Sequence, residues 1–162
     1  MKRSAILLGA LATLASPALA RSSLGVFDDW GAFRDPRLPR CYAISKAERS
    51  RAAREFEPYA TIGTWPNRKV RNQVHVRLSR RLASDPSVTL RVGGDSYRLT
   101  AGEADAWAED KRMDAAIVAA MRSGTRMSVS ATDRGGNRFT DRYSLGGAAT
   151  ALDAAQVGCA SQ

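Results

Sequence analysis

The sequence predicts a mainly β domain: an antiparallel β-sandwich or partly closed barrel of about seven to nine strands, with one main α-helix over about 102–122. Three observations carry that prediction. Short runs of alternating apolar and polar residues, separated by Gly, Pro, Asn and Asp, recur from about position 40 to position 145. One segment alone spaces its apolar residues as a helix does. Hydrophobic residues at 44% and charged residues at 25% exclude a collagenous, wholly disordered or disulfide-dense chain.

The N-terminus sets the compartment. Lys2 and Arg3 precede an apolar run over 5–14, followed by Pro17 and the small-residue triplet Ala18-Leu19-Ala20. This is the form of a secretory signal peptide cleaved after Ala20. The run is too short to cross a bilayer, no later stretch is long enough either, and no Cys follows the cleavage site to accept a lipid. An uncleaved anchor is the competing reading, and N-terminal sequencing that began at Met1 would establish it. Residues 21–162 then read as one β-rich domain, without a repeat, a low-complexity tract or a linker, and without transmembrane insertion.

The elements follow in order. Residues 40–45 and 59–65 are short β-prone runs flanking a charged stretch, and Trp65-Pro66-Asn67 closes the second in a turn. Over 71–79, Val74, Val76 and Leu78 alternate with Gln73, His75, Arg77 and Ser79, the period-two mark of a strand with one buried face. Val88, Leu90 and Val92 repeat it, and Gly93-Gly94-Asp95 turns the chain into 96–99 as a hairpin. Thr100 with Glu103 fits a capping box, and Met113, Ala116, Ile117, Ala120 and Met121 then share one helix face, with Gly124 as the stop. A second hairpin runs over 126–132 and 138–145 through Asp133-Arg134-Gly135-Gly136-Asn137. Its return strand places Asp141 on the parity of Phe139 and Tyr143, so a carboxylate points inward as a structural polar group that needs a donor. The Ala-rich 146–157 reads as a short helix.

Cys41 and Cys159 are the only cysteines, and an oxidising compartment lets them pair. Such a bridge closes most of the mature chain, for which the chain-entropy model gives about 4–5 kcal/mol. Two free thiols are the alternative, which alkylation of unreduced protein would reveal. Without Cys-x-x-Cys, redox chemistry is not indicated.

Nucleophile and phosphate-cradling motifs are missing from the sequence. His75 is the sole imidazole, so neither a catalytic residue nor a metal site is predicted, and no cofactor is expected. Charge is the remaining signal. Lys and Arg number 25 against 16 Asp and Glu, and loss of Lys2 and Arg3 lowers the net charge only from +9 to +7. Export argues against nucleic acid and for anionic envelope or host components. Arg68, Lys69, Arg71, His75, Arg77 and Arg81 fall along one strand and its flanking turns, and strict alternation would gather them into one basic stripe. This is the candidate contact surface for an anionic partner; a charged outer face that keeps the sheet soluble is the other reading.

The early Phe27-x-x-Trp30, Arg40-Cys41-Tyr42-Ala43, Trp107-Ala108, and the run MRSGTRMSVSATDRGGNRFTDRYSL over 121–145 followed by the late Cys159 resemble the invasion-associated locus B family of Gram-negative bacteria. The run is the most specific piece, through its Met-x-x-Gly, its glycine hairpin and Thr140-Asp141-x-Tyr143-Ser144-Leu145. Unlike many members, this chain has only two cysteines and Gly146-Gly147-Ala148 after the Ser-Leu pair. The resemblance implies an exported β-rich envelope or secreted protein, periplasmic or at the cell surface, with no catalytic residues. Founding members of that family are tied to host-cell entry. Together with the signal-like N-terminus and the missing catalytic constellation, the resemblance leads to the expectation of a non-enzymatic binding module with a protein or anionic partner. The alternatives are an envelope-maintenance protein that binds anionic lipid or lipopolysaccharide, and a small periplasmic hydrolase acting through Asp141 or His75.

Overall fold

A single run of pairings links ten strands into one antiparallel sheet that does not close into a barrel. The computed structural model describes residues 21–160; the expected signal segment and its cleavage point after Ala20 lie outside the described residues. The strands are β1 (Ser22–Phe27), β2 (Trp30–Asp35), β3 (Arg40–Lys46), β4 (Tyr59–Trp65), β5 (Val70–Arg77), β6 (Val88–Val92), β7 (Asp95–Ala101), β8 (Asp105–Trp107), β9 (Arg126–Thr132) and β10 (Arg138–Ser144). Two helices accompany them, α1 (Lys111–Ser123) and α2 (Ala148–Ala160). Spatial order is β1-β2-β3-β4-β5-β8-β7-β6-β9-β10.

Alternation gives this sheet an inner and an outer face. Registered across the inner face are Ala32, Ala43, Ile62 and Val74, then Val76, Ala106 and Ala101, then Leu90 and Val129. They join Ile117 and Met121 of α1 and Leu152 of α2 in one core cluster. The sheet curls around that core until its ends approach: the Trp30 indole N–H donates to the Ser144 carbonyl at 2.9 Å, and the Glu48 N–H donates to the Arg142 carbonyl at 2.7 Å.

The main helix begins later than the sequence predicts. Thr100 belongs to β7 and Glu103 is exposed, so the expected capping box does not form; α1 starts after Asp110, whose carboxylate accepts from the Met113 N–H at 2.8 Å. The residues between are needed elsewhere. Residues 105–107 form β8, the strand that joins β5 to β7, with Ala106 fully buried opposite Val76 and Ala101. A cap contributes only about 1 kcal/mol, whereas leaving out β8 would divide the sheet and strand two rows of backbone hydrogen-bonding groups. With β1 and β2, whose short, Gly-containing runs show little alternation, the total reaches ten, one above the predicted seven to nine.

The helix expected over 146–157 forms as α2 and packs on the inner face of β1, β2 and β3. Cys41 of β3 and Cys159 of α2 are joined by a disulfide with Cα atoms 5.8 Å apart, closing a loop of 118 residues in sequence separation. The chain enters α2 through Gly147 at φ +79°, where a Cβ would lie 1.9 Å from the Phe27 carbonyl oxygen, so only glycine fits.

Candidate functional site

The outer face is one continuous surface with two chemistries. On β2 to β5 and β8 it is aromatic. Phe33 and Tyr42 stack at 5.7 Å, the Trp65 ring lies over Gly63, and Arg40 sits 4.6 Å above the Tyr42 ring. His75 packs between Tyr59 at 5.9 Å and Trp107 at 5.2 Å.

The expected basic stripe falls on this half and is divided. Asn72 and Lys69 adopt positive φ, and a bulge between Gly63 and Trp65 breaks the alternation that the sequence suggests for β5. Lys69 and Arg71 consequently line a groove of about 550 Å³ against Gln156 and Val157 of α2, away from the row of His75 and Arg77. Arg68 stays at the exposed turn before β5. His75 and Arg77 converge on Asp105, His75 Nε2 lying 2.9 Å from Oδ1 and Arg77 donating to Oδ2. The Arg77 guanidinium also covers the Phe56 ring at 4.1 Å. Arg81 pairs with Glu103 at 2.9 Å and Glu55 at 3.5 Å. Asp105, Glu55 and Glu103 thus neutralise the upper part of the stripe.

Two of these contacts form a Thr61–His75–Asp105 line, with Thr61 Oγ1 3.4 Å from His75 Nδ1. A nucleophile–base–acid set needs oxyanion donors beside the nucleophile. β4 is an interior strand whose backbone N–H groups are engaged in ladders with β3 and β5, and Asp105 is shared with Arg77. The arrangement is suited to holding β4, β5 and β8 together.

Asp141 is buried on the inner face, where its Oδ2 accepts from the Ser79 N–H at 2.9 Å. Burial pushes its carboxyl above the usual range, while the Ser79 donors and the Arg54 and Arg80 charges pull it down. Asp114 of α1 is similar: its Oδ1 accepts from the Val74 N–H at 2.8 Å, and burial raises its carboxyl. The Tyr143 hydroxyl, buried beside Asp141, is pushed well above its ordinary range by burial first and by that carboxylate second. Each carboxylate crosslinks elements: Asp141 ties β10 to the segment after β5, and Asp114 ties α1 to β5. Among the described residues, no group of three His, Cys, Asp or Glu is placed to hold a metal ion.

The outer face of β7, β6, β9 and β10 differs in every respect. Its registered rows are Arg98, Thr89, Ser130 and Thr140, then Ser96, Arg91, Ser128 and Arg142, with Arg138 opposite Thr132 and Arg126 opposite Ser144. Every outward position on these four strands is Ser, Thr or Arg, and none is acidic or apolar. Arg91, Arg98, Arg126, Arg138 and Arg142 are exposed, and among the described residues none forms a side-chain ion pair or hydrogen bond. Ser130 and Thr140 share a hydrogen bond at 2.9 Å, and the hydroxyls floor a shallow depression of about 540 Å³ bordered by Arg91, Arg138 and Arg142.

Sequence reasoning missed this face. Each strand shows its half of the signal, as in Arg138, Thr140 and Arg142 against Phe139, Asp141 and Tyr143. The gathering of five arginines depends on β6 pairing with β9, a contact between segments more than thirty residues apart.

Comparison with known proteins bears on the whole of this architecture. No curated protein and no solved structure matches the chain. The model of the invasion associated locus B (IalB) protein family matches residues 40–156, from β3 through the arginine-bearing hairpin and most of α2. With well over half of its length matched, the chain belongs to the invasion associated locus B family.

Proposed function

We propose that this protein is an exported, non-enzymatic binding module of the bacterial envelope or cell surface whose partner is anionic. The observation that carries the reading is the Ser, Thr and Arg face of β7, β6, β9 and β10, where five exposed arginines lack carboxylate partners. Charges held unpaired beside one another repel, and a fold that needed them only for solubility would intersperse both signs. Family membership, the Cys41–Cys159 bridge and the signal-like residues 1–20 support an extracytoplasmic setting. No helix among the described residues is long and apolar enough to cross a membrane.

Protease accessibility of a tagged, full-length protein on intact cells, read alongside periplasmic extract and culture supernatant, tests the setting. Recovery in the periplasm, on the surface or in the medium is expected, with the residues before Arg21 removed; retention in the cytoplasm with Met1 in place would overturn export. A hydrolase is disfavoured because Asp141 is committed to Ser79 and His75 to Asp105. Turnover by purified protein that His75→Ala abolishes would reverse that judgement.

A further inference from the structure

Resting on that reading, we propose that the arginine face takes an extended saccharide chain bearing sulfate groups, lying across β6, β9 and β10, and not a lipid bilayer. Charge complementarity is the first argument. Arg91 and Arg142 stand two strands apart in one registered row, roughly 10 Å by strand spacing, and Arg138 and Arg142 stand four residues apart on β10, roughly 13 Å by strand rise. A single small anion cannot bridge such gaps, whereas a chain with repeated anionic groups meets several arginines at once. Guanidinium forks suit tetrahedral oxyanions because they donate two parallel hydrogen bonds.

The floor between the arginines is the second argument. Thr89, Ser128, Ser130 and Thr140 present hydroxyls that both donate and accept, which matches the hydroxyls and ring oxygens of sugars. A bilayer would need apolar side chains to enter the headgroup boundary, and none points outward from these strands. A nucleic-acid strand would need aromatic rings for stacking, and the aromatic residues of the outer face lie on the other half, around His75 and Trp107.

Heparin-derived oligosaccharide is the probe, titrated against the processed, disulfide-intact protein with neutral dextran, polyphosphate and phosphatidylglycerol vesicles in parallel. We expect salt-sensitive binding of the oligosaccharide, none of dextran, and markedly weaker binding of polyphosphate and vesicles. The double variant Arg91→Ser/Arg142→Ser should bind about tenfold more weakly. Arg68→Ser/Arg71→Ser, which removes the same charge from the turn before β5 and the start of that strand, should bind within twofold of wild type. Equal loss in both doubles would reduce the effect to net charge and overturn the site. Equal binding of vesicles or polyphosphate would overturn the saccharide, and no binding of any polyanion by a protein shown to be exported would overturn the face while leaving export standing. As a readout independent of variants, phenylglyoxal footprinting of wild type should show Arg91, Arg138 and Arg142 protected by the oligosaccharide and Arg68 and Arg71 unprotected; the reverse pattern would move the site to the start of β5 and the turn before it.

Discussion

The two halves of the outer sheet face have the same architecture and opposite chemistry. On β2 to β5 and β8, the polar side chains at the centre are engaged: His75 and Arg77 meet at Asp105, and just beyond β5 Arg81 is held by Glu103 and Glu55. Aromatic rings fill the space between, and α2 backs β1, β2 and β3 through the Cys41–Cys159 bridge. On β7, β6, β9 and β10 the arginines stand alone over hydroxyls. The difference teaches that a basic sequence does not mark its own contact surface. A cation beside a carboxylate is already satisfied, while a row of unpaired cations keeps its repulsion until an outside anion relieves it.

The largest way to break the comparison is to release α2. Cys41→Ala with Cys159→Ala should lower the unfolding free energy by about 4–5 kcal/mol in urea titration. Hydrogen exchange should then rise first in β2 and β3, with the arginine half protected longer. A loss below about 1 kcal/mol would show that α2 is held by packing alone. Next, Gly147→Ala should cost about 1–3 kcal/mol from positive φ, with the Phe27 carbonyl clash in addition; an unchanged melting temperature would mean that the β10–α2 corner relaxes freely.

Buried carboxylates make both halves respond to pH, Asp114 beside β5 and Asp141 on β10 in the same direction. Burial raises the pKa of Asp114 and Asp141 above the ordinary value of 3.8. Between 3.8 and those raised values the native chain holds protons that the unfolded chain has released, so each group's contribution to stability falls as pH rises and returns on acidification. Asp133 acts oppositely. Hydrogen bonds from the Asn137 N–H and then Arg80 hold it below 3.8, so its contribution is present above that pH and is lost as pH falls through its lowered value. Asp141→Asn should flatten the decline in stability from 3.8 toward neutrality, and an unaltered slope in urea midpoints would exclude burial of this carboxylate as the source.

A smaller effect sharpens the comparison from the other side. If Asp105 is what silences His75 and Arg77, Asp105→Asn should confer severalfold tighter heparin binding without altering the β6–β9–β10 face; no gain would mean that the aromatic surround, and not pairing, sets the difference. Smallest of all, Arg138→Ser should change stability by no more than about 0.5 kcal/mol while weakening polyanion binding, because an exposed, unpartnered side chain contributes little to the fold.

The sequence by itself determined the mainly β class, the strands around Val74, Leu90 and Val129, the glycine hairpins, the helical face of Ile117 and Met121, and the inward parity of Asp141. These are local properties, since alternation, turn chemistry and helical spacing are written within a few residues of one another. Pairing of the two cysteines was legible as well, because only one partner existed for each. Tertiary structure alone decided that 105–107 is a strand, because its value lies in joining β5 to β7 and not in its own propensity. It also decided the functional surface. Arg71 left the stripe through a bulge at Asn72, Arg77 acquired Asp105 from 28 positions away, and Arg91 and Arg142 came to flank Ser128 because β9 lies between β6 and β10. Charge pairing acts across space over a few ångströms, and strand order, which sets those distances, is a property of the folded sheet and not of any one segment.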